Sequence, residues 1–233
     1  MGYNNFAYML GKRPRRSIYE CNFDRPMLVD GGGTPAVGND LDMIVTSITN
    51  AATLAQLANG NRITANAGGA GANVSAFAAG RLGAGVLPCD FAYRPAMMIE
   101  LTIPAILTGK SVLAGIRLTG GVTIGADNDQ ALFYYRQGTD TYWMLQTSNN
   151  NTDTTAASAV AVAFDTRYKL IVGVGSDLYA RFWIGVGDAR PVLVWTSTAV
   201  VRVGQALAPF ITFLAATAIS FDLHRVVVTR ELS

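Results

Sequence analysis

The stretch Arg167–Gly185, RYKLIVGVGSDLYARFWIG, alternates apolar and polar residues through two arms separated by Gly175-Ser176-Asp177. In the first arm Tyr168, Leu170, Val172 and Val174 share one parity, against Arg167, Lys169, Ile171 and Gly173. In the second, Leu178, Ala180, Phe182 and Ile184 alternate with Tyr179, Arg181, Trp183 and Gly185. Successive side chains of a strand point to opposite faces, so a two-residue period marks strands buried on one face. The Gly-Ser-Asp between the arms is turn chemistry, because glycine reaches positive φ without a Cβ clash and Ser and Asp bond the nearby backbone. The pattern predicts a hairpin whose aliphatic face lines a core. Its other face, with Tyr179, Arg181 and Trp183, is a candidate contact for a ligand or a second subunit.

The rest of the second half repeats the pattern. Strands are expected at Val86–Tyr93, Met97–Ile103, Val112–Leu118, Ala131–Gln137, Tyr142–Thr147, Val160–Phe164, Val192–Thr198, Pro209–Ala216 and Ile219–Arg230. Short strands about 8–12 residues apart, divided by Gly, Asn and Asp, indicate an antiparallel sandwich or barrel. In the last strand Ile219, Phe221 and Leu223 share one parity and Val226 and Val228 the other. A bulge near His224-Arg225, or burial on both faces, explains such a switch. The first half is less regular, with strands expected at Ile18–Phe23, Asp42–Thr49 and Arg62–Asn66. Ala51–Ala58 is the best helix candidate. In Ala65–Gly85, 14 of 21 residues are Gly or Ala, which reads as a loop or a weak edge strand.

A chain of 233 residues can bury roughly 70–75% of its unfolded surface, enough for one large β domain. Charged residues make up 15% of it, against about 25% in an ordinary soluble domain. That shortage implies a large two-sided core or surface hidden in an assembly. Three lysines accompany fifteen arginines, and arginine is the better residue for packed contacts because its planar head stacks and bonds bidentately. A net charge of +2 gives no broad attraction to nucleic acid. Cys21 and Cys89 match no zinc or redox spacing, and whether they pair is open. No segment reads as a signal peptide or a membrane span.

Residues 1–17 stand apart as an expected basic and aromatic anchoring arm, ahead of a domain spanning 18–233. Tyr3, Phe6 and Tyr8 supply apolar anchors, and Lys12, Arg13, Arg15 and Arg16 follow around Pro14. Exposed large apolar side chains are costly in water, so these residues are candidates for binding a partner.

The order of strands resembles a concanavalin A-like jelly-roll of the LamG or lectin/glucanase type. The marks are Asn22-Phe23-Asp24-Arg25, Asn59-Gly60-Asn61-Arg62-Ile63, Leu132-Phe133-Tyr134-Tyr135, Tyr142-Trp143, Arg167-Tyr168-Lys169-Leu170, Ala180-Arg181-Phe182-Trp183 and Phe221–Val228. Together with the arm, they look most similar to such domains in tailed-phage virion proteins. That resemblance implies a capsid decoration or head-fibre subunit, located in the virion and seated on other virion proteins such as the major capsid protein. It also implies a homo-oligomer, with a trimer as one arrangement.

An enzyme is not expected. Glycoside hydrolysis needs two carboxyl groups flanking one bond, which glucanases of this type carry as Glu-x-Asp-x-x-Glu. The three glutamates here, Glu20, Glu100 and Glu231, are isolated, and His224 is the only histidine. No cofactor is expected. Asp127-Asn128-Asp129 is the one oxygen-rich cluster with calcium chemistry, although it is equally ordinary turn composition. The alternative function is a carbohydrate- or receptor-binding module contacting a cell-surface glycan. In it, Trp143, Trp183, Trp195, Tyr134, Tyr135 and Tyr179 supply stacking faces beside Arg136 and Arg181. Aromatic residues also favour strands for packing alone, so their facing decides.

Overall fold

The computed structural model describes residues 16–22, 44–47, 52–57, 60–65, 72–77, 89–103, 111–118, 128–205, 207–215 and 219–231. Among them are fifteen strands arranged as two antiparallel sheets.

One sheet has eight strands. These are β1 (Arg16–Asn22), β3 (Ala52–Leu57), β4 (Gly60–Ala65), β6 (Ala96–Ile103), β11 (Thr166–Val174), β12 (Tyr179–Val186), β13 (Val192–Val200) and β15 (Ile219–Glu231). Their order is β13-β12-β11-β6-β15-β4-β3. Thirteen-residue β15 is long enough to pair with β6 on one side and with both β4 and β1 on the other.

The second sheet has seven strands. They are β2 (Ile44–Ser47), β5 (Ala72–Phe77), β7 (Ser111–Arg117), β8 (Gln130–Arg136), β9 (Tyr142–Asn149), β10 (Thr152–Ala161) and β14 (Ala208–Ala215). Their order is β10-β9-β8-β7-β14-β5-β2. Neighbours distant in sequence, such as β7 with β14 and β6 with β15, are the long-range pairings that close a sandwich.

The hairpin forms as its alternation requires. Val174 pairs with Ala180 and Tyr168 with Val186 across β11 and β12. Tyr168, Leu170, Val172, Val174, Ala180, Phe182 and Ile184 all lie in the core between the sheets. The other sheet meets them with Val112, Ala114, Ile116, Phe133, Trp143 and Leu145. The Trp143 and Tyr168 rings pack edge to face across the layers at 5.4 Å. The Tyr168 hydroxyl donates to the Ala161 carbonyl and accepts from the Ala163 amide, so this buried polar tip is satisfied.

Four segments depart from the sequence expectation. Ala52–Leu57 is a strand rather than a helix, because its pairing with β4 overrides the helical preference of Ala, Leu and Gln. Ala72–Phe77 is a paired inner strand between β14 and β2, not a loop or an edge. Of the strand expected at Val86–Tyr93, residues 86–88 lie outside the described residues, and at its end a 3-10 turn at Phe91–Tyr93 is capped by the Asp90 carboxylate, which accepts from the Ala92 amide. The strand expected at Val160–Phe164 lies earlier, as β10, and follows a two-residue hairpin turn at Asn150 and Asn151. Their φ values of 48° and 65° are ones that asparagine tolerates. Leu178 also differs: it sits in the turn at φ 60° rather than opening the second arm, yet packs against the core.

Arg16 pairs with Glu231 and Ser17 with Arg230, so the last two residues assigned to the arm belong to the sheet. Tyr3, Phe6, Tyr8, Lys12, Arg13 and Arg15 lie outside the described residues. The parity switch in β15 is a register shift between Leu223 and Arg225, as a bulge requires. Both β10 and β13 end their sheets, and both carry register shifts, β10 with Ala159 at φ 60°. Such irregularities hinder edge-to-edge pairing with another chain.

Candidate functional site

Two outward faces carry the polar and aromatic residues that the sequence singles out. On the eight-stranded sheet, the hairpin turns Tyr179, Arg181 and Trp183 away from the core. Trp183 is only 8% exposed and pairs with Ile171, which is itself 2% exposed. Its indole therefore offers little surface to a ligand. Arg181 is held by Asp177, which it meets with two nitrogens at 2.5 and 2.9 Å. That pair draws the Asp177 carboxyl down to about 2. The same face carries Glu100, buried beside the Arg167 guanidinium at 3.1 Å and the Lys169 ammonium at 3.8 Å. It is ion-paired inside the sheet face rather than facing solvent. His224, at the bulge, lies 2.9 Å from the Thr102 hydroxyl.

The seven-stranded sheet is different. Ala131, Phe133, Tyr135, Trp143 and Leu145 point into the core, so Gln130, Leu132, Tyr134 and Arg136 on β8 point outward, as do Tyr142, Met144, Gln146 and Ser148 on β9. On β10 the outward residues Asp153, Thr155 and Ala157 are exposed. Toward the middle of the sheet the same face is buried, with Leu113, Leu132, Tyr134 and Phe210 in a second apolar cluster. The face thus steps from solvent at β10 to a closed interior at β8 and β7.

That step is lined by chemistry suited to recognition. Arg136 binds Asp140 through two nitrogens at 2.8 and 2.9 Å, and the Arg136 amide donates to the same carboxylate. Such a bidentate pair fixes the guanidinium plane. It stands over the Tyr134 ring, 5.2 Å from the centroid. Burial pushes the Tyr134 phenol upward, against the lowering effect of the Arg136 charge. Tyr142, 40% exposed at the start of β9, presents an aromatic face to solvent beside this clamp. At the other end, the Ser148 hydroxyl donates to the Asp153 carboxylate.

Of the aromatics named as stacking candidates, Tyr134 lies on this face with Arg136, whereas Tyr135 and Trp143 are in the core. Trp195 packs against the core beside Phe182. Asp140, Tyr142 and Asp153 were not singled out from the sequence as site residues, although strand parity places Tyr142 opposite core-facing Trp143.

The oxygen-rich cluster is only partly described: Asp127 lies outside the described residues. The Asp129 carboxylate is buried, accepts from the Asn150 amide at 3.1 Å, and lies 3.6 Å from the Arg202 guanidinium. Calcium at that carboxylate would have to compete with an arginine. Among the described residues no three His, Cys, Asp or Glu side chains converge as a metal site. Cys89 is a free thiol, 1% exposed, and burial pushes it up to about 12.

No protein-family model matches the chain, and no curated protein matches it in sequence. Solved structures do. A protein of unknown function from Shewanella oneidensis MR-1 superposes with a TM-score of 0.65 at 13% identity, covering 100% of this chain and 95% of its own. Peanut lectin gives 0.56 at 8% identity, covering 94% and 99%. The exoplasmic/lumenal domain of VIP36, in a form bound to Ca2+ and Man3GlcNAc, gives 0.55 at 10% identity, covering 78% and 83%. At these identities the likeness concerns the fold. The chain is an all-β, two-sheet antiparallel sandwich with the concanavalin A-like lectin/glucanase fold.

Proposed function

We propose that this chain is a lectin-like carbohydrate-binding module whose binding face is the outer surface of β8, β9 and β10. The observation that carries this reading is one outward face that steps from solvent to interior, with an exposed ring and a fixed guanidinium at one end and acidic and hydroxyl groups at the other, six strand positions or roughly 20 Å away. These are Tyr142, Arg136 with Asp140, and Asp153 with Ser148 and Thr155. Saccharides offer apolar ring faces that stack on aromatics and hydroxyls that donate and accept at once, and such a face answers both. Peanut lectin and the Man3GlcNAc-bound domain of VIP36 share the fold and lend it precedent; the side chains supply the argument. The module is read as non-catalytic, since Glu100, the mid-strand glutamate, is engaged by Arg167 and Lys169. A glycan array, run with and without calcium, tests this. Binding to defined glycans supports it, and a blank array under both conditions removes it.

A second reading is a virion subunit, a capsid decoration or head fibre, seated on other virion proteins through residues 1–17. It is favoured by the low charge of the chain and by uncharged β13, where Val192 and Leu193 are 61% and 52% exposed. Exposed apolar side chains of this kind suit burial against another protein. Deleting residues 1–15, which spares β1, should abolish incorporation into particles. Normal incorporation of the shortened chain excludes the reading.

A further inference from the structure

Gln130 opens β8 on the outer face, and its side chain is 0% exposed. Neither its amide nitrogen nor its amide oxygen has a hydrogen-bond partner. Buried side-chain polar groups are paired in the large majority of cases, and an amide left open at both ends works against folding. Its position gives the orphan a meaning. Gln130 pairs with Ser148 on β9, and Ser148 with Asp153 on β10, so the three form one row across the sheet. Asp153 stands in solvent, Ser148 is fully buried, and its hydroxyl donates to the Asp153 carboxylate. At about 4.8 Å per strand, Gln130 lies roughly 10 Å inward from the exposed end of this polar row. On its other side, Arg117 continues the row, with its guanidinium 4.9 Å from the centre of the Phe210 ring.

We infer that the Gln130 amide is the inner anchor of the carbohydrate site, recognising two adjacent hydroxyls of an uncharged saccharide. This rests on the binding face proposed above and specifies its ligand. A carboxylate or sulfate accepts only, so it would satisfy the amide nitrogen and leave the oxygen open. A vicinal diol satisfies both ends, one hydroxyl accepting from the nitrogen and the other donating to the oxygen. The anchor is shut off from solvent as it stands. Ser148, with one short side-chain rotor, is the group that must turn from Asp153 to admit a hydroxyl, a motion of the kind that side chains make rapidly.

Gln130→Met in the full chain tests the inference, because it keeps the length and removes both polar atoms. The orphan costs stability in the free protein, so the variant should melt about 2–4 °C higher. It should bind the strongest neutral glycan of the array roughly tenfold more weakly, the loss of two neutral hydrogen bonds. Wild type should prefer neutral glycans to sialylated or uronic ones. Undiminished binding by Gln130→Met overturns the anchor while leaving the binding face intact. A lower melting temperature shows that water already satisfies the amide, and this too overturns it. A preference for acidic glycans overturns the choice of ligand, and no glycan binding by wild type removes the binding face and the anchor together.

Discussion

Phe133 of β8 meets Phe182 of β12 edge to face, with ring centroids 5.2 Å apart and planes at 81°, and neither ring touches solvent. The pair links the two sheets at the hairpin predicted from alternation alone. Phe182→Ala should destabilise the domain by about 3–5 kcal/mol, since it removes a buried ring and leaves a cavity. A double-mutant cycle with Phe133→Ala should show coupling of about 0.5–1.5 kcal/mol from the aromatic geometry. Urea unfolding measures both. An unchanged midpoint for Phe182→Ala would mean that this strand faces the other way.

Acid should loosen the hairpin turn before it unfolds the core. The hydrogen bonds from Arg181 hold the Asp177 carboxyl at about 2, below its ordinary value of 3.8. A group lowered by folding stabilises the native state above its unfolded value, and that contribution fades as pH falls through the folded value. The window is therefore about pH 4 down to 2. The pair is partly exposed, so added salt should shrink the effect. Following the Asp177 carboxyl carbon by NMR checks this, and a midpoint near 4 would show that the pair does not form in solution. Gly175→Ala gives an independent check. A Cβ there would lie 2.1 Å from an Arg181 guanidinium nitrogen, so the variant should displace Arg181 and raise the Asp177 midpoint.

Cys89 should be chemically silent in the native protein. Its thiol is 1% exposed, its amide donates to the Leu207 carbonyl, and burial raises it from 9.0 to about 12. Thiolate is the reactive form, so a thiol reagent at neutral pH should label Cys89 only after unfolding. Because folding raises this group, its contribution to stability is complete below pH 9 and fades as pH rises toward 12. Mass mapping of labelled peptides with and without denaturant distinguishes the cases. Rapid native labelling at Cys89 would contradict the burial.

Legibility of the sequence followed the strength of alternation. β11 and β12 carry large side chains on a strict two-residue period, and their facing was readable from Leu170 and Phe182 alone. Ala72–Phe77 lies in a stretch dominated by Ala and Gly, whose small side chains carry no period, so its place between β2 and β14 was invisible. β10 escaped for a related reason. Thr152–Ala161 is an edge strand mostly in solvent, and small polar residues satisfy that position without any apolar pattern. The site was half legible. Tyr134 and Arg136 could be named as recognition chemistry, but Tyr135 and Trp143 belonged to the same list until strand parity sent them to the core. Gln130 gave no signal, because an unpartnered amide is a property of the packed structure and not of the sequence.

The central claim is that the outer face of β8, β9 and β10 binds carbohydrate. Isothermal titration of the strongest array glycan against wild type, Tyr142→Ala, Asp153→Ala and, as a control on exposed β13, Leu193→Ser tests it most directly. Tyr142 and Asp153 are exposed, so their loss should leave the fold intact. The account predicts that each weakens binding by about tenfold or more, corresponding to roughly 1.4 kcal/mol, with Leu193→Ser unchanged. Equal affinity in all four proteins, or a loss confined to Leu193→Ser, would contradict it.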